Sequence, residues 1–288
     1  MPVIDQLRYV WFETPDFASA CTYASDVIGL ECGQRGADAA YFRSDDRAYS
    51  LAFQRSDRVL ASVGLEVREA AVLDRIAQTL GERGMKSQRG DGALRALRRV
   101  KDILQVSDPS DNAIELVVRP EHKGRRCFPS RDAGITGFSG VSFDSTNPEK
   151  DAAWWCEVLG ARISDYVGDA VFLRLDDLHH RIALYPARAP RLTSLSFEVE
   201  DFNNIMQSWY FLTDRQVRII QGPGRQPFSG QIFVKFEGPN GLVFGYTHGM
   251  DRIVNAEKWR PRQFAAAATS ACMWGTEPPE ATFRLSLQ

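Results

Sequence analysis

Residues 173–184 read LRLDDLHHRIAL, and residues 42–53 read FRSDDRAYSLAF at an offset of 131 residues. Two more pairs stand at nearly the same offset: YASDVIG (23–29) with WWCEVLG (154–160), and ASVGLEV (61–67) with TSLSFEV (193–199). Three matches in one order, separated by unlike sequence, indicate an internal duplication. We therefore predict two domains, 1–125 and 134–288, on either side of a polar linker that contains Gly and Pro.

Each half divides again into two similar units. Helices are predicted after the cap signals Thr14-Pro15-Asp16 and Asn147-Pro148-Glu149, and over 70–81 and 201–213. Alternation and short apolar runs predict strands at 7–13, 40–43, 48–54, 62–67, 101–106, 113–118, 138–144, 170–174, 179–185, 193–199, 230–237 and 241–247. The unit is a strand, a helix and three strands, used four times. The predicted fold class is α+β, with four βαβββ modules in pairs.

The composition is that of an ordinary globular protein, with 44% hydrophobic and 25% charged residues. A net charge of −2 provides no global attraction for nucleic acid or an anionic membrane. The N-terminus lacks the pattern of a signal peptide, and no apolar run reaches the length of a membrane span. The five cysteines are scattered, without a CxxC pair. We therefore expect a cytoplasmic protein with free thiols and no nucleic-acid or membrane partner.

Several stretches give the chain a resemblance to the vicinal oxygen chelate superfamily, and within it to the two-domain type I extradiol ring-cleavage dioxygenases. They are YASDVIGLE, FLRLDDLHHRIAL, RLTSLSFEVEDFNNI, GPNGLVFGYTHG and SACMWG. The resemblance implies that each half curls its strands around a cup, with helices outside. It also implies that the C-terminal cup is the active site, where the family holds Fe(II) with two histidines and one carboxylate. The implied ligand is a small aromatic molecule, and the implied assembly is a homo-oligomer.

The resemblance places the three iron ligands at positions that carry other residues here. The family reads roughly Gly-x-x-His-Val in the strand that opens the second half, and the histidine position is Gly140 in this chain. The second histidine position is Ser194, and the glutamate position is Gly245. Because glycine has no side chain and a neutral hydroxyl is a poor sole ligand, we expect no cofactor at these positions.

The family's DxxHH pattern is kept as the stretch DDLHH at 176–180, and the resemblance assigns the role of general acid/base to His180. Imidazole titrates near neutral pH, so His180 is suited to proton transfer. On a strand, His179 would point to the opposite face. Further expected substrate contacts in the cup are Ser194, Gln226, Phe228, Phe236 and Phe172. The other reading of His180 is a core histidine that only forms a structural hydrogen bond.

Three functions remain open from the sequence. The first is a metal-independent isomerase, hydrolase or lyase that acts on an aromatic or ring-cleavage-type substrate through His180. The second is a non-catalytic protein that binds an aromatic molecule or pairs with an active dioxygenase subunit. The third is an Fe(II) ring-cleavage dioxygenase with a rearranged site.

Overall fold

The structure, a computed structural model, describes residues 3–277, whose strands form two sheets. The first sheet has the order β2-β3-β4-β1-β5-β8-β7-β6. Its strands are β1 (Gln6–Thr14), β2 (Glu31–Arg35), β3 (Ala39–Arg43), β4 (Leu51–Arg55), β5 (Leu60–Val67), β6 (Ser87–Arg89), β7 (Asp102–Ser107) and β8 (Ala113–Val118). In the middle of the sheet, β1 runs parallel to β4 and antiparallel to β5.

The second sheet repeats this plan and adds one edge strand, in the order β14-β15-β16-β13-β9-β12-β11-β10-β17. Its strands are β9 (Ile135–Ser145), β10 (Arg162–Val167), β11 (Ala170–Arg174), β12 (Ile182–Pro186), β13 (Arg191–Val199), β14 (Ile219–Arg225), β15 (Ile232–Glu237), β16 (Val243–His248) and β17 (Arg262–Phe264). The predicted α+β class and the two pairs of βαβββ modules are confirmed. The exact domain limits at 125 and 134 stay a prediction.

One helix follows the first strand of every module. These helices are α1 (Phe17–Tyr23), extended by a π-helical turn (Ala24–Ile28), α2 (Ala70–Glu82), α4 (Pro148–Leu159) and α5 (Phe202–Asp214). The described chain also contains α3 (Gly92–Arg98), a 3-10 turn (Pro239–Gly241) and α6 (Ala268–Ala271). Among residues 3–277, no helix is both long enough and apolar enough to cross a bilayer.

A cap signal decides where helix α4 begins. The side chain of Asn147 accepts a hydrogen bond from the backbone N–H of Lys150, and Pro148 is the first residue of α4. The helix ends at Gly160, whose φ of 72° is left-handed. The prediction for the first helix was less accurate, because Thr14 ends β1 and α1 begins only at Phe17.

The two faces of the second sheet have different chemistry. Phe138, Val141 and Phe143 of β9 belong to the main apolar core, which α4 and α5 cover from outside. Along β13, Leu195 and Phe197 point into the same core. Ser194 and Ser196, which alternate with them, are small and polar and face the concave side. Alternation along the strands therefore produces an apolar outer layer and a polar cup.

Candidate functional site

The three positions that the resemblance assigns to iron ligands lie on neighbouring strands of the C-terminal cup. Gly140 of β9 pairs with Ser196 of β13, which pairs in turn with Gly245 of β16. Ser194 lies one alternation further along β13, opposite Ser142. The structure therefore brings Gly140, Ser194 and Gly245 to one region. The base of this region is formed by glycines, which have no side chain, and by serine hydroxyl groups.

His179 and His180 lie in the loop between β11 and β12, and not on a strand. The predicted strand at 179–185 begins only at Ile182, so the argument that the two side chains point to opposite faces was wrong. Both rings lie on the same side of the chain, with 3.1 Å between their Nδ1 atoms. His180 lines the cup and is 8% exposed, whereas His179 is fully buried behind it.

A buried carboxylate continues this pair of histidines. Asp165 of β10 is fully buried, and its Oδ2 lies 2.8 Å from Nε2 of His179. Arg262 of β17 contacts the same carboxylate through its backbone N–H at 2.7 Å and through its guanidinium at 2.6 Å. The edge strand β17 pairs with β10 and holds Arg262 in this place. A chain of hydrogen bonds thus runs from the cup through His180 and His179 to Asp165 and Arg262.

The hydrogen-bond network assigns a tautomer to each ring. Burial alone would raise the pKa of Asp165, but hydrogen bonds from His179 and Arg262 hold it below its usual range. The ionised carboxylate accepts the Nε2–H of His179, so Nδ1 of His179 carries a lone pair. That lone pair accepts the Nδ1–H of His180. The Nε2 atom of His180 therefore carries a lone pair on the side of the cup.

The cup holds His180 in its neutral form. Burial is the main cause that lowers the pKa of His180 well below its usual value of 6.5, and nearby positive charge adds to this effect. The positive charges are those of Lys235 and Arg181. At neutral pH, His180 is therefore a proton acceptor, and the proton that it takes up is stabilised through His179 by Asp165.

Two of the predicted aromatic contacts stand beside this histidine. The rings of Phe172 and Phe228 are 4.4 Å apart, and the ring of Phe172 lies edge-on to His180 at 5.1 Å. Both phenylalanines are only 2% exposed. They therefore pack against the imidazole of His180 and present little surface that a ligand could contact. The predicted residues His180, Ser194 and Gln226 line the cup itself.

Gln226 has its amide orientation fixed by a neighbour. The hydroxyl of Ser229 donates to Oε1 of Gln226 at 2.6 Å, which leaves the amide N–H groups of Gln226 as donors. The closed space among the lining side chains measures about 30 Å³, which holds one or two water molecules. An engineered cavity that binds benzene measures about 150 Å³, so this space is too small to enclose an aromatic ring.

Phe236 does not contact the cup. Its side chain is fully buried in the main core, where its ring stacks with Phe244 at 6.2 Å and Tyr246 at 5.1 Å. The prediction that Phe236 lines the site therefore misplaced the strand by one residue, because neighbours on β15 point to opposite faces. The residue that lines the cup is Lys235, directly before it.

Gly140 and Gly245 do not supply a metal site. A Cβ atom at Gly140 would stand 2.9 Å from the backbone oxygen of Arg181, so a longer side chain there requires a backbone shift. The nearest atom to a Cβ at Gly245 would be the hydroxyl oxygen of Ser196, at 2.8 Å. Across residues 3–277, no group of three or more His, Cys, Asp or Glu side chains is arranged to hold a metal ion. The donors at these positions do not fit Fe(II) or Mn(II), and we assign no step to a metal there.

Paired βαβββ modules with a cup in each half are the architecture of one superfamily, and a comparison of sequences identifies it. The model of the Glyoxalase/Bleomycin resistance protein/Dioxygenase superfamily matches residues 145–246. Biphenyl-2,3-diol 1,2-dioxygenase of Pseudomonas sp. (strain KKS102) is 32% identical over 204 residues, which cover 65% of this chain and 70% of that protein. The chain therefore belongs to the extradiol dioxygenases of this superfamily.

One further relative and one solved structure of the same fold cover nearly the whole chain. The iron-dependent extradiol dioxygenase of Rhodococcus jostii (strain RHA1) is 25% identical, over 94% of this chain and 96% of that protein. The Mn(II)-bound glyoxalase from Novosphingobium aromaticivorans has the same fold, with a TM-score of 0.86 at 21% identity, and the match covers 98% of this chain and 95% of that one.

These relatives correct one expectation from the sequence. We expected no cofactor, and that expectation was wrong, because the relative from Rhodococcus jostii is named for its dependence on iron. A metal is thus the cofactor that the comparisons indicate for the family. Gly140, Ser194 and Gly245 do not offer the imidazole and carboxylate donors that such a metal takes.

The sequence analysis did not find Asp165, Arg262 or Lys235. Asp165 and His179 are 14 positions apart, and Arg262 is 97 positions from Asp165, so no local spacing connects them. One available signal was the pattern Arg-Ile-Ser-Asp-Tyr-Val at 162–167, which places an acid in an otherwise half-buried strand. An acid in such a place needs a partner.

Proposed function

We propose that this protein is an enzyme of aromatic-compound catabolism in which His180 moves a proton on an aromatic or ring-cleavage-type substrate. The observation that carries the proposal is the buried hydrogen-bond chain from His180 through His179 to Asp165. Three groups in this order, with the outer one facing a cleft, have the arrangement of a general base with an orienting acid. A core histidine with a purely structural role would need one partner and no access to the cup.

In the proposed reaction, a hydroxyl or an activated C–H group of the substrate gives its proton to Nε2 of His180. The imidazolium that forms keeps its Nδ1–H on His179, and Asp165 stabilises the positive charge. The same proton returns to another atom of the substrate or to the leaving group. Isomerisation and lyase reactions at an enolisable group have this pattern. In a hydrolysis, His180 would take the proton from a water molecule that attacks the substrate and pass it to the leaving group.

The polar wall supports the orientation of such a substrate. Gln226 offers its amide N–H groups, and Ser194 offers a hydroxyl that is 8% exposed in the cup. Named relatives act on biphenyl-2,3-diol and 3-methylcatechol, which makes aromatic diols and their ring-cleaved products the first substrates to test. The relatives' ring cleavage is the second candidate function, because the family match in sequence favours it.

The test compares the wild type with His180→Ala on biphenyl-2,3-diol, 3-methylcatechol and the ring-cleaved product of each. We expect His180→Ala to lower kcat roughly 10²- to 10⁴-fold, while the Kd of the substrate changes little. His122→Ala is the matched control, since His122 lies in the other half of the chain and its side chain is 48% exposed. Equal loss in both variants, or full activity in His180→Ala, contradicts the proposal.

Oxygen uptake and metal content, measured on protein purified under anaerobic conditions, separate the two candidate functions. Stoichiometric oxygen consumption with bound iron or manganese identifies ring cleavage, and proton exchange or product rearrangement without oxygen uptake identifies the proposed reaction. Saturable binding of the diols without turnover of any compound identifies a binding protein and contradicts the enzyme.

A further inference from the structure

Lys235 is a cation in the wall of the C-terminal cup. It lies on β15, where it pairs with Gly245 of β16, so that no neighbouring side chain fills the space beside it on that strand. Its ammonium lies 5.5 Å from the centre of the Phe233 ring. Burial lowers the pKa of Lys235 to about 8, which leaves most of the side chain protonated at pH 7. Within the described residues, no carboxylate pairs with it.

The rest of the cup consists of groups that stabilise negative charge. No aspartate or glutamate is part of the wall, although the chain as a whole carries 37 of them. The wall offers the hydroxyls of Ser142, Ser194 and Ser196 and the amides of Gln226 and Gln231. A half-buried cation without a partner is unfavourable, and hydroxyl and amide donors around it are the usual companions of a bound anion.

We propose that Lys235 and this polar wall bind a carboxylate group of the substrate, so that the substrate class is an aromatic or ring-opened carboxylic acid. The inference rests on the proposed function of the same cup and names its substrate class. The closed volume of about 30 Å³ fits a small charged head group and not a ring. The carboxylate therefore enters first, and the ring or chain of the acid lies towards the mouth.

This arrangement also brings the substrate to His180. Lys235 and His180 line the same small cavity, and Lys235 is one of the charges that lower the pKa of His180. A carboxylate bound at Lys235 brings the adjoining carbon atoms within the same cavity as Nε2 of His180. Proton transfer next to a carboxylate is a reaction in which an ammonium stabilises the charge that develops.

The test measures binding of benzoate and of uncharged benzamide to the full chain by calorimetry. We expect the wild type to bind benzoate more tightly than benzamide, and Lys235→Met to lower benzoate affinity roughly 10- to 100-fold without changing benzamide affinity. Lys235→Arg should retain part of the preference, because it keeps the charge. Lys86→Met, at an exposed lysine, is the matched control and should bind both compounds like the wild type.

Two results would overturn the inference: no saturable benzoate binding by the wild type, or an unchanged ratio of benzoate to benzamide affinity in Lys235→Met. Thermal unfolding of Lys235→Met tests whether a loss of binding comes from a loss of fold. If Lys235→Met does not fold, the same comparison is made with Lys235→Arg. Failure of this inference leaves the diol assay of His180→Ala unaffected. Loss of turnover in His180→Ala with an unchanged benzoate preference separates the two roles.

Discussion

The two cups of this chain are built from the same unit, and they differ in whether large side chains fill them. In the N-terminal cup, Tyr9 pairs with Gly64 across β1 and β5, and its ring occupies the space above that glycine. The equivalent pair in the C-terminal cup is Gly140 with Ser196, so both members are small. One exchange of tyrosine for glycine therefore keeps the second cup open at its base.

A second equivalent pair shows the same contrast. Tyr49 stands at the repeat position of His180, and Ala48 stands at that of His179. In the N-terminal cup, the rings of Tyr9 and Tyr49 are 4.8 Å apart and fill the interior. In the C-terminal cup, the corresponding loop carries the imidazole pair that leads to Asp165. The duplicated fold thus supplies a packed support in one half and a reactive cleft in the other.

Helix α3 completes the closure of the N-terminal cup. Its last residues bring Arg98 over the ring of Trp11 at 3.7 Å and onto Glu115 at 2.9 Å. The hydroxyls of Tyr41 and Tyr49 donate to the backbone oxygens of Leu97 and Arg98. These bonds satisfy carbonyl groups that a helix end would otherwise leave free. In this half the buried ion pair of Arg98 and Glu115 lies inside the packed cup, whereas in the other half His180 and Lys235 line the cleft.

The largest expected effect comes from breaking the packed cup. Arg98→Met leaves Glu115, which is 1% exposed, without its cation, and should lower the free energy of unfolding by roughly 3–5 kcal/mol. Urea denaturation measures the change. Arg95→Met on the exposed side of the same helix is the control, with an expected change within about 0.5 kcal/mol. A loss below about 1 kcal/mol in Arg98→Met would show that the ion pair does not hold this cup closed.

A smaller change in stability is expected when a glycine that lines the C-terminal cup is replaced. Gly140→Ala places a Cβ 2.9 Å from the backbone oxygen of Arg181, whereas the nearest atom to a Cβ at Gly137, on the same strand, is 3.5 Å away. We expect Gly140→Ala to be less stable than Gly137→Ala by about 1–3 kcal/mol. The two variants share the entropic effect of replacing glycine, so their difference isolates the contact. Equal stabilities in urea denaturation would contradict the account.

The sequence predicted the fold well, because the internal repeat and the cap at Asn147 can both be recognised directly in the sequence. The sequence misplaced several site residues where the strand pattern alone did not determine which residues form the strand or which face they occupy. We predicted a strand that begins at His179, but His179 and His180 lie in the loop before β12. In this loop, Leu178 forms a bridge with Arg252 from the distant C-terminal segment. Phe236 and Lys235 were exchanged by a one-residue shift, which reverses the face of every strand residue. Contacts between distant segments, such as Asp165 with Arg262, are not marked by any local spacing in the sequence.

The most direct test of the central claim is the protonation of His180, read by ¹⁵N NMR of the histidine rings from pH 8 downwards. We predict that His180 carries its proton on Nδ1 and has a free Nε2, that His179 carries its proton on Nε2, and that His180 stays neutral well below pH 6.5. The sign follows from burial and nearby positive charge, which both disfavour the imidazolium. A proton on Nε2 of His180 at pH 7, or titration of His180 at or above pH 6.5, would contradict its role as the proton acceptor of this cup.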